Sequence, residues 1–329
     1  MPGARYIGID LGGTLVRAAL GDAAGQVLHR ADAATHAERG EAAIVDGIAA
    51  LVRQAANGTR LADVAAVALG APGPVDPVSG TLYDAPNLVK GEFRIKAMLE
   101  QRLEVPVHVA NDANVAAVGE WRYGGHGDSQ HLVYITVSTG VGAGIIADGR
   151  VLDGFNRTAG EVGHMVIDPN GPPCNCGNRG CVEAFCSGTH IGERAREALA
   201  RGESSRMLEL AGGIIDGVTS KQVVAAAQQG DALAGRIFHE AADHLGMAVV
   251  NVIHLLSPEY VVIGGGVSQA GELLFGPVRD RVARTAMTLP AKNVHVVPAR
   301  LGVDSGLIGA VGMAIMAAAP DARPPSSAS

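Results

Sequence analysis

Three cysteines and one histidine lie close together near the middle of the chain. Nine residues separate His164 from the run Cys174-Asn-Cys176-Gly-Asn-Arg-Gly-Cys181, which places three thiols within eight positions. Three thiolates and one imidazole complete the tetrahedral shell that structural zinc prefers, and they leave no coordination position open for catalysis. The alternative, that these cysteines are merely small buried residues, fits such close spacing less well. The spacing therefore predicts a structural Zn²⁺ site.

Two glycine turns and a third glycine run offer backbone N–H groups without obstruction by side chains. The turns are Asp10-Leu-Gly-Gly-Thr14 and Ser138-Thr-Gly-Val-Gly142, and the run is Gly264-Gly-Gly266. Such backbone cradles phosphate groups, although a single glycine turn between two strands is also ordinary hairpin geometry. The three together predict a nucleotide clamp, in which the carboxylate of Asp10 holds Mg²⁺ directly or through water.

The dipeptide Asn111-Asp112 follows a predicted buried strand and precedes an alanine-rich helix. Ligands of open α/β sheets bind at that edge, but Asn and Asp are also favoured N-caps of helices. Glu161, His164 and Glu183 flank the cysteine run and add further hydrogen-bonding groups. These residues together predict a site for a polyhydroxylated ligand, with helix capping as the alternative role of the dipeptide.

Hydrophobic periodicity and glycine stops predict the elements that position these residues. The predicted strands are 5–10, 16–20, 26–30, 64–69, 105–109, 132–138, 143–147, 260–263 and 294–297. The predicted helices are 42–54, 93–103, 113–121, most of 190–256, the segment after Gly266, and 304–316. When the sequence of the first glycine hairpin is shifted by 128 positions, it aligns with that of the second, with Tyr6 on Tyr134 and Gly12 on Gly140. The chain therefore contains a predicted duplication.

The composition is that of a soluble α/β enzyme with two domains. Hydrophobic residues make up 47% of the chain, aromatic residues 3%, and the net charge is -7. Because basic residues form no dense run, a nucleic-acid partner is disfavoured. For the same reason the cysteine run is not expected to be a zinc ribbon or knuckle that binds nucleic acid. The longest apolar stretch, 245–256, is too short to span a bilayer, and the N-terminus lacks a signal pattern. We expect a cytoplasmic protein without a membrane partner.

The motifs and their order resemble those of the ROK family (repressors, open reading frames, kinases), up to about residue 317. The matching pieces are the glycine turns and run, Gly70-Ala-Pro-Gly-Pro74, Asn111-Asp-Ala-Asn114, Glu161-Val-Gly-His164, and the cysteine run with Glu183. The resemblance implies an α/β fold with a duplicated ribonuclease-H-like unit, as in the actin and hexokinase superfamily, and two domains around a cleft. It implies a smaller domain of 1–117 plus 304–318 and a larger one of 118–303 with the zinc loop. The tail of 319–329 is rich in Pro, Ser and Ala, a composition that predicts disorder.

The resemblance also implies that the protein is an ATP-dependent sugar kinase that phosphorylates the 6-hydroxyl of glucose. It implies a structural Zn²⁺, Mg²⁺ bound to ATP, and a homodimeric or homotetrameric assembly. Asp112 is implied as the catalytic base. The implied substrate-binding residues are Gly73, Asn87, Asn111, Asp112, Glu161, His164 and Glu183. The implied nucleotide-binding residues are Asp10, Gly12, Gly13, Thr14, Thr139, Gly140, Gly142, Gly265 and Gly266.

Several alternatives remain within the resemblance. N-acetylglucosamine, N-acetylmannosamine, mannose and fructose are competing acceptors, and polyphosphate is a competing donor. Family members often carry a polar residue where this chain has Leu15, and an aromatic residue where it has Val89-Lys90. The first departure bears on nucleotide affinity and the second on sugar preference. The alternative from another class is a sugar-sensing transcriptional regulator, which has a helix-turn-helix segment before the first hairpin, whereas the first predicted strand here begins at Arg5.

Overall fold

The computed structural model of the protein describes residues 3–85 and 88–319. The strands are β1 (Arg5–Leu11), β2 (Leu15–Asp22), β3 (Val27–Ala34), β4 (Ala66–Ala71), β5 (Val75–Asp76), β6 (Thr81–Tyr83), β7 (Glu92–Phe93), β8 (Val107–Asn111), β9 (Leu132–Val137), β10 (Val141–Ala147), β11 (Arg150–Val151), β12 (Tyr260–Gly264) and β13 (His295–Pro298). Asn87 and the predicted tail from residue 320 onward lie outside the described residues.

The helices lie between groups of these strands, and five of them, α4 to α8, follow one another between β11 and β12. They are α1 (Glu41–Ala56), α2 (Ile95–Leu103), α3 (Asp112–Tyr123), α4 (Val182–Cys186), α5 (Gly188–Ala200), α6 (Arg206–Leu210), α7 (Ser220–Gln228), α8 (Ala232–Leu256), α9 (Glu272–Thr285), α10 (Thr288–Ala291) and α11 (Ser305–Ala318). Within the described part of the chain, no helix combines the length and the apolar character needed to cross a membrane.

Two five-stranded sheets share one strand order. The first sheet has the order β3–β2–β1–β4–β8, and the second has the order β11–β10–β9–β12–β13. In the first sheet β1 is antiparallel to β2 and parallel to β4. In the second sheet β12 is parallel to both β9 and β13. The same order arises twice along the chain, which confirms the predicted α/β duplication.

The described residues form two compact units. The first takes the described parts of Met1–Gln130, Gly144–Gly160 and Ala299–Ser329, and the second takes His131–Ala143 and Glu161–Pro298. These bounds differ from the predicted 1–117 plus 304–318 and 118–303. The prediction cut the chain inside α3, which continues to Tyr123. A Cβ on Gly119 of α3 would lie 2.5 Å from the carbonyl oxygen of Ser305, so α3 packs closely against the start of α11.

Helices cover both faces of the first sheet. Ile7 and Ile9 of β1 are buried in one core together with Ile44 of α1. On the opposite face Tyr6 is buried with Val311 of α11. Because side chains alternate along a strand, residues 6, 8 and 10 of β1 share the face that α11 covers. Asp10 therefore lies at the end of β1 on the α11 side.

Candidate active site and metal centre

The first glycine turn joins β1 to β2 in the first unit. The N–H of Gly12 donates to the carbonyl oxygen of Leu15 at 2.9 Å, and the hydroxyl of Thr35 donates to the carbonyl oxygen of Gly12 at 2.6 Å. Asp10 forms an ion pair with Arg17, its direct partner on β2. The turn is thus closed by hydrogen bonds, and the charge of Asp10 is balanced. The predicted nucleotide-binding residues at this turn are Asp10, Gly12, Gly13 and Thr14.

The second glycine turn joins β9 to β10, and the start of α5 lies against it. The N–H of Gly188 donates to the carbonyl oxygen of Ser138 at 2.7 Å, and the hydroxyl of Thr189 donates to the carbonyl oxygen of Thr139 at 2.8 Å. Gly265 has a φ of 85°, and a Cβ there would lie 2.4 Å from the carbonyl oxygen of Val137. Only glycine allows this approach. The predicted residues brought together here are Thr139, Gly140, Gly142, Gly265 and Gly266.

A cavity of ≈ 830 Å³ opens beside the second glycine turn. Its lining includes Thr139, Thr189, Lys221, Gln222, Val267 and Gln269, all from the second unit. This size and this mixture of apolar and polar groups are typical of small-molecule sites. The sequence prediction missed the lining residues of α5 and α7. A signal was present, because Ser187 caps α5 and Thr219 forms a capping box with Gln222 at the start of α7.

Asn111 and Asp112 lie at the junction of β8 and α3, as predicted. Asn111 is the N-cap, because its side-chain oxygen accepts from the N–H of Ala113 at 2.9 Å and of Asn114 at 3.4 Å. The Nδ2 of Asn111 donates to the carbonyl oxygen of Gly73 at 3.1 Å, which ties the loop after β4 to the helix start. Asp112 is the first helical residue, and its Oδ1 accepts from the N–H of Ala113 at 2.8 Å. The capping role thus belongs to Asn111.

His164 and three cysteines of the second unit converge on one point. Their ligand atoms all lie within 4.8 Å of one another. The Nδ1 of His164 is 3.7 Å from the Sγ of Cys174, and the Sγ atoms of Cys176 and Cys181 are 3.6 Å apart. Two sulfur ligands of a tetrahedral zinc ion, each about 2.3 Å from the metal, are separated by about 3.8 Å. The spacing therefore fits a metal ion bound by all four side chains.

The cysteine run is folded into a tight loop by its own backbone. The N–H of Cys174 donates to the carbonyl oxygen of Asn178 at 2.8 Å, and Gly180 adopts a φ of 70°. The backbone N–H of Asn178 lowers the pKa of the Cys176 thiol to about 7. Burial raises the pKa of Cys181 to about 12. A bound cation is therefore needed to hold all three sulfurs as thiolates at neutral pH.

Glu161, His164 and Glu183 flank the cysteine run in the second unit. The Nε2 of His164 is 3.9 Å from a carboxylate oxygen of Glu161, while its Nδ1 faces the cysteines. The two ring nitrogens of His164 therefore face different groups, a carboxylate on one side and the thiols on the other. The Oε2 of Glu183 accepts a hydrogen bond from the N–H of Val141, a contact that no local sequence pattern predicts.

The comparisons with known proteins agree with the predicted family and fold. A family model described as the ROK family matches residues 6–317. The glucokinase of Halalkalibacterium halodurans is 38% identical over 308 residues, which are 92% of this chain and 93% of that protein. The crystal structure of a ROK family glucokinase from Streptomyces griseus, in complex with glucose and AMPPNP, has 37% identity and a TM-score of 0.81 over 94% of this chain and 99% of that chain. The xylose repressor of Caldicellulosiruptor bescii is 29% identical over 313 residues, which are 94% of this chain and 77% of the repressor.

Proposed function

This chain belongs to the ROK family, and we propose that it is an ATP-dependent sugar kinase that transfers the γ-phosphoryl group to the 6-hydroxyl of glucose. Glucokinases that match over more than nine tenths of both chains support the proposal. The observation that carries it is the start of α3, where Asn111 caps the helix and Asp112 follows as its first residue. A carboxylate at that position lies at the sheet edge where ligands of α/β proteins bind.

Asp112 is the proposed general base. It accepts the proton of the attacking 6-hydroxyl, and the positive end of the α3 dipole favours its ionised form. Phosphoryl transfer through a loose transition state needs mainly alignment and charge neutralisation, so the proton moves late and a strongly raised pKa is not required. Asn111 and the Gly73 loop, joined by their hydrogen bond, are the proposed partners of neighbouring hydroxyl groups.

Glu161, His164 and Glu183 are also proposed to bind hydroxyl groups. Two carboxylates accept hydrogen bonds from sugar hydroxyls, and the Nε2 of His164 is the ring nitrogen on the side of Glu161. Glucose is proposed over N-acetylated hexoses, mannose and fructose on the strength of the related glucokinases. The exposed Lys90 and the half-buried Val89 depart from the family pattern and bear on that preference.

ATP is proposed as the donor because of the cavity beside the second glycine turn. Its apolar and amide side chains, among them Val267, Gln222 and Gln269, suit a nucleoside. A polyphosphate chain needs several basic side chains along its length to balance its charge, whereas the basic side chains in this lining are Arg196 and Lys221.

Mg²⁺ bound with ATP would neutralise the β and γ phosphates, and Asp10 is the residue proposed to hold it. The ion pair with Arg17 occupies one carboxylate oxygen of Asp10, which favours a water-mediated contact. Leu15, whose side chain is exposed at the start of β2, adds no polar group to this turn.

Zn²⁺ is the proposed metal of the His164–cysteine cluster. Three soft thiolates and one imidazole favour it over the oxygen-seeking Mg²⁺. With four protein ligands the ion supplies no open position, so its contribution is structural. His164 and Cys181 lie three and two residues from Glu161 and Glu183, so a bound ion would fix the loop on which these proposed hydroxyl-binding residues lie.

A coupled assay of product formation tests the proposed function. Glucose, N-acetylglucosamine, N-acetylmannosamine, mannose and fructose serve as acceptors, each with ATP and with polyphosphate. We expect the highest kcat/KM for glucose with ATP. A higher value for another sugar, or for polyphosphate, would overturn that part of the proposal. Sugar-dependent thermal stabilisation without phosphoryl transfer in any combination would instead favour the sugar-sensing regulator. Sedimentation analysis of the same preparation tests the expected homodimer or homotetramer.

A further inference from the structure

The carboxylate of Asp10 is enclosed by the first turn of α11. A Cβ on Gly306 would lie 2.9 Å from the Oδ2 of Asp10 and 3.0 Å from its Oδ1. The carboxylate thus occupies the space that any larger side chain at this position would need. Backbone N–H groups in the first turn of a helix lack partners within the helix and form its positive end. The start of α11 is therefore suited to orient a carboxylate.

Arg17 holds the same carboxylate from a second direction. Besides its ion pair with Asp10, its guanidinium donates to the carbonyl oxygen of Val303 at 2.6 Å and lies 3.4 Å from a carboxylate oxygen of Asp304. Val303 and Asp304 directly precede α11. The side chains of Asp10 and Arg17 are 14% and 17% exposed, so both are held largely out of solvent. Arg17 thereby connects Asp10 to the segment leading into α11.

The start of α11 is itself anchored to α3. Glu120 is fully buried, and its Oε1 accepts from the N–H of Leu301 and from the hydroxyl of Ser305, both at 2.8 Å. Its Oε2 accepts from the N–H of Arg300 at 3.0 Å. Because a buried carboxylate with several donors resists displacement, the turn that carries Gly306 has a fixed position relative to α3.

We propose that Gly306 and Arg17 are positioning residues that fix the carboxylate of Asp10 for the phosphate end of Mg²⁺-bound ATP. The inference rests on the proposed function, in which Asp10 faces that ligand. Gly306 is required because only a residue without Cβ leaves room for the carboxylate. Arg17 is required because it fixes one oxygen and leaves the other to be directed by the helix start.

The test compares Gly306→Ala with Gly47→Ala. Gly47 is an exposed glycine of α1 whose added Cβ would meet no atom within 4 Å, so it reports the general effect of alanine in a helix. A fluorescent ATP analogue is titrated with and without Mg²⁺, and steady-state kinetics and thermal melts are recorded on the same proteins. We expect Gly306→Ala to weaken Mg²⁺-dependent binding by roughly tenfold or more, since a charged hydrogen-bonding group is displaced.

The kinetic signature distinguishes positioning from general damage. In Gly306→Ala, kcat should fall by roughly 10²-fold, as expected for a misplaced reacting group, while the KM for glucose stays within about twofold. Unchanged Mg²⁺-dependent binding in a folded Gly306→Ala protein would overturn the inference. If Gly306→Ala does not fold, the same titration is made on Arg17→Gln. Mg²⁺-dependent binding of the ATP analogue as tight as that of the wild type would then overturn the inference. Absence of sugar phosphorylation by the wild-type protein would count against the proposed function instead.

Discussion

Glu183 and Val141 join the segment after the cysteine run to the second glycine turn. The Oε2 of Glu183 accepts a hydrogen bond of 2.8 Å from the backbone N–H of Val141, the first residue of β10. A Cβ on Gly140 would lie 2.5 Å from the same oxygen, so the carboxylate rests directly on the turn. Glu183 follows Cys181, a member of the His164–cysteine cluster, by two residues. The carboxylate of Glu183, a residue proposed to bind sugar, thus lies against the proposed phosphate-binding turn.

Glu183→Ala is therefore expected to weaken ATP binding as well as sugar binding. Loss of a hydrogen bond to a charged acceptor is worth about 1.5–3 kcal/mol, which predicts a KM for ATP raised by at least about tenfold. The measurement is the KM for each substrate, with Glu209→Ala on the exposed side of α6 as the control. If only the KM for glucose rises, the contact with Val141 does not hold the turn in a functional position.

Asp112→Asn separates catalysis from helix capping. Because Asn111 supplies the cap, the substitution should change the melting temperature little, while kcat falls by roughly 10² to 10⁴, the usual contribution of general acid–base catalysis. Asn111→Ala is the matched variant and should cost about 1 kcal/mol of stability as the N-cap is lost. Steady-state kinetics beside thermal melts give both quantities. A near-normal kcat in Asp112→Asn would mean that another residue is the base.

Cys176→Ala is expected to lose the metal, and Cys186→Ala is expected to keep it. Both residues are free thiols of the same region, but only Cys176 belongs to the four-residue cluster. Elemental analysis should find one zinc per chain in the wild type and in Cys186→Ala. The Cys176→Ala protein should contain markedly less zinc and melt at a lower temperature, because the loop loses its cross-link. An equal zinc content in both variants would exclude this cluster as the zinc site.

The ion pair between Asp243 of α8 and Arg281 of α9 predicts a pH-dependent contribution to stability. The Nε of Arg281 donates to the Oδ1 of Asp243 at 2.9 Å, and this hydrogen bond lowers the pKa of Asp243. A carboxyl group whose folded pKa is lowered stabilises the protein above its unfolded pKa of about 3.9, and that stability is lost as pH falls through the folded value. Asp243→Asn should cost about 1–2 kcal/mol at pH 7 and progressively less below about pH 4.

Thermal melts over this pH range, with the exposed Asp280→Asn of α9 as control, check the expected trend. A difference in melting temperature between wild type and Asp243→Asn that is the same at pH 3 and pH 7 would contradict the assigned ionisation of the pair.

The sequence predicted those parts of the fold that local patterns encode. Both glycine hairpins, the β8–α3 junction and the metal cluster followed from alternation, helix periodicity and residue spacing. Boundaries were less accurate, since β4 begins at Ala66 after the short 3-10 helix Leu61–Asp63 rather than at residue 64. The small sheet β5–β6–β7 was not predicted, because strands of two or three residues are too short to show alternation.

The contacts that tie the candidate site together could not be predicted from local patterns. Gly306 and Asp10, like Glu183 and Val141, are distant in the chain and meet only through tertiary packing. A glycine in a helix and a carboxylate after a cysteine run each have ordinary explanations in the sequence. Their roles become visible only when the space available to a Cβ, or the donor facing an oxygen, is known.

The product of the reaction tests the central claim most directly. The purified protein is incubated with ATP, Mg²⁺ and glucose, and the mixture is analysed by phosphorus NMR with coupling to protons. We predict a phosphomonoester whose phosphorus couples to the two protons on carbon 6 of glucose. One molecule of this ester should form for each molecule of ADP. Release of inorganic phosphate without a sugar ester, or an ester at any other carbon, would contradict the account.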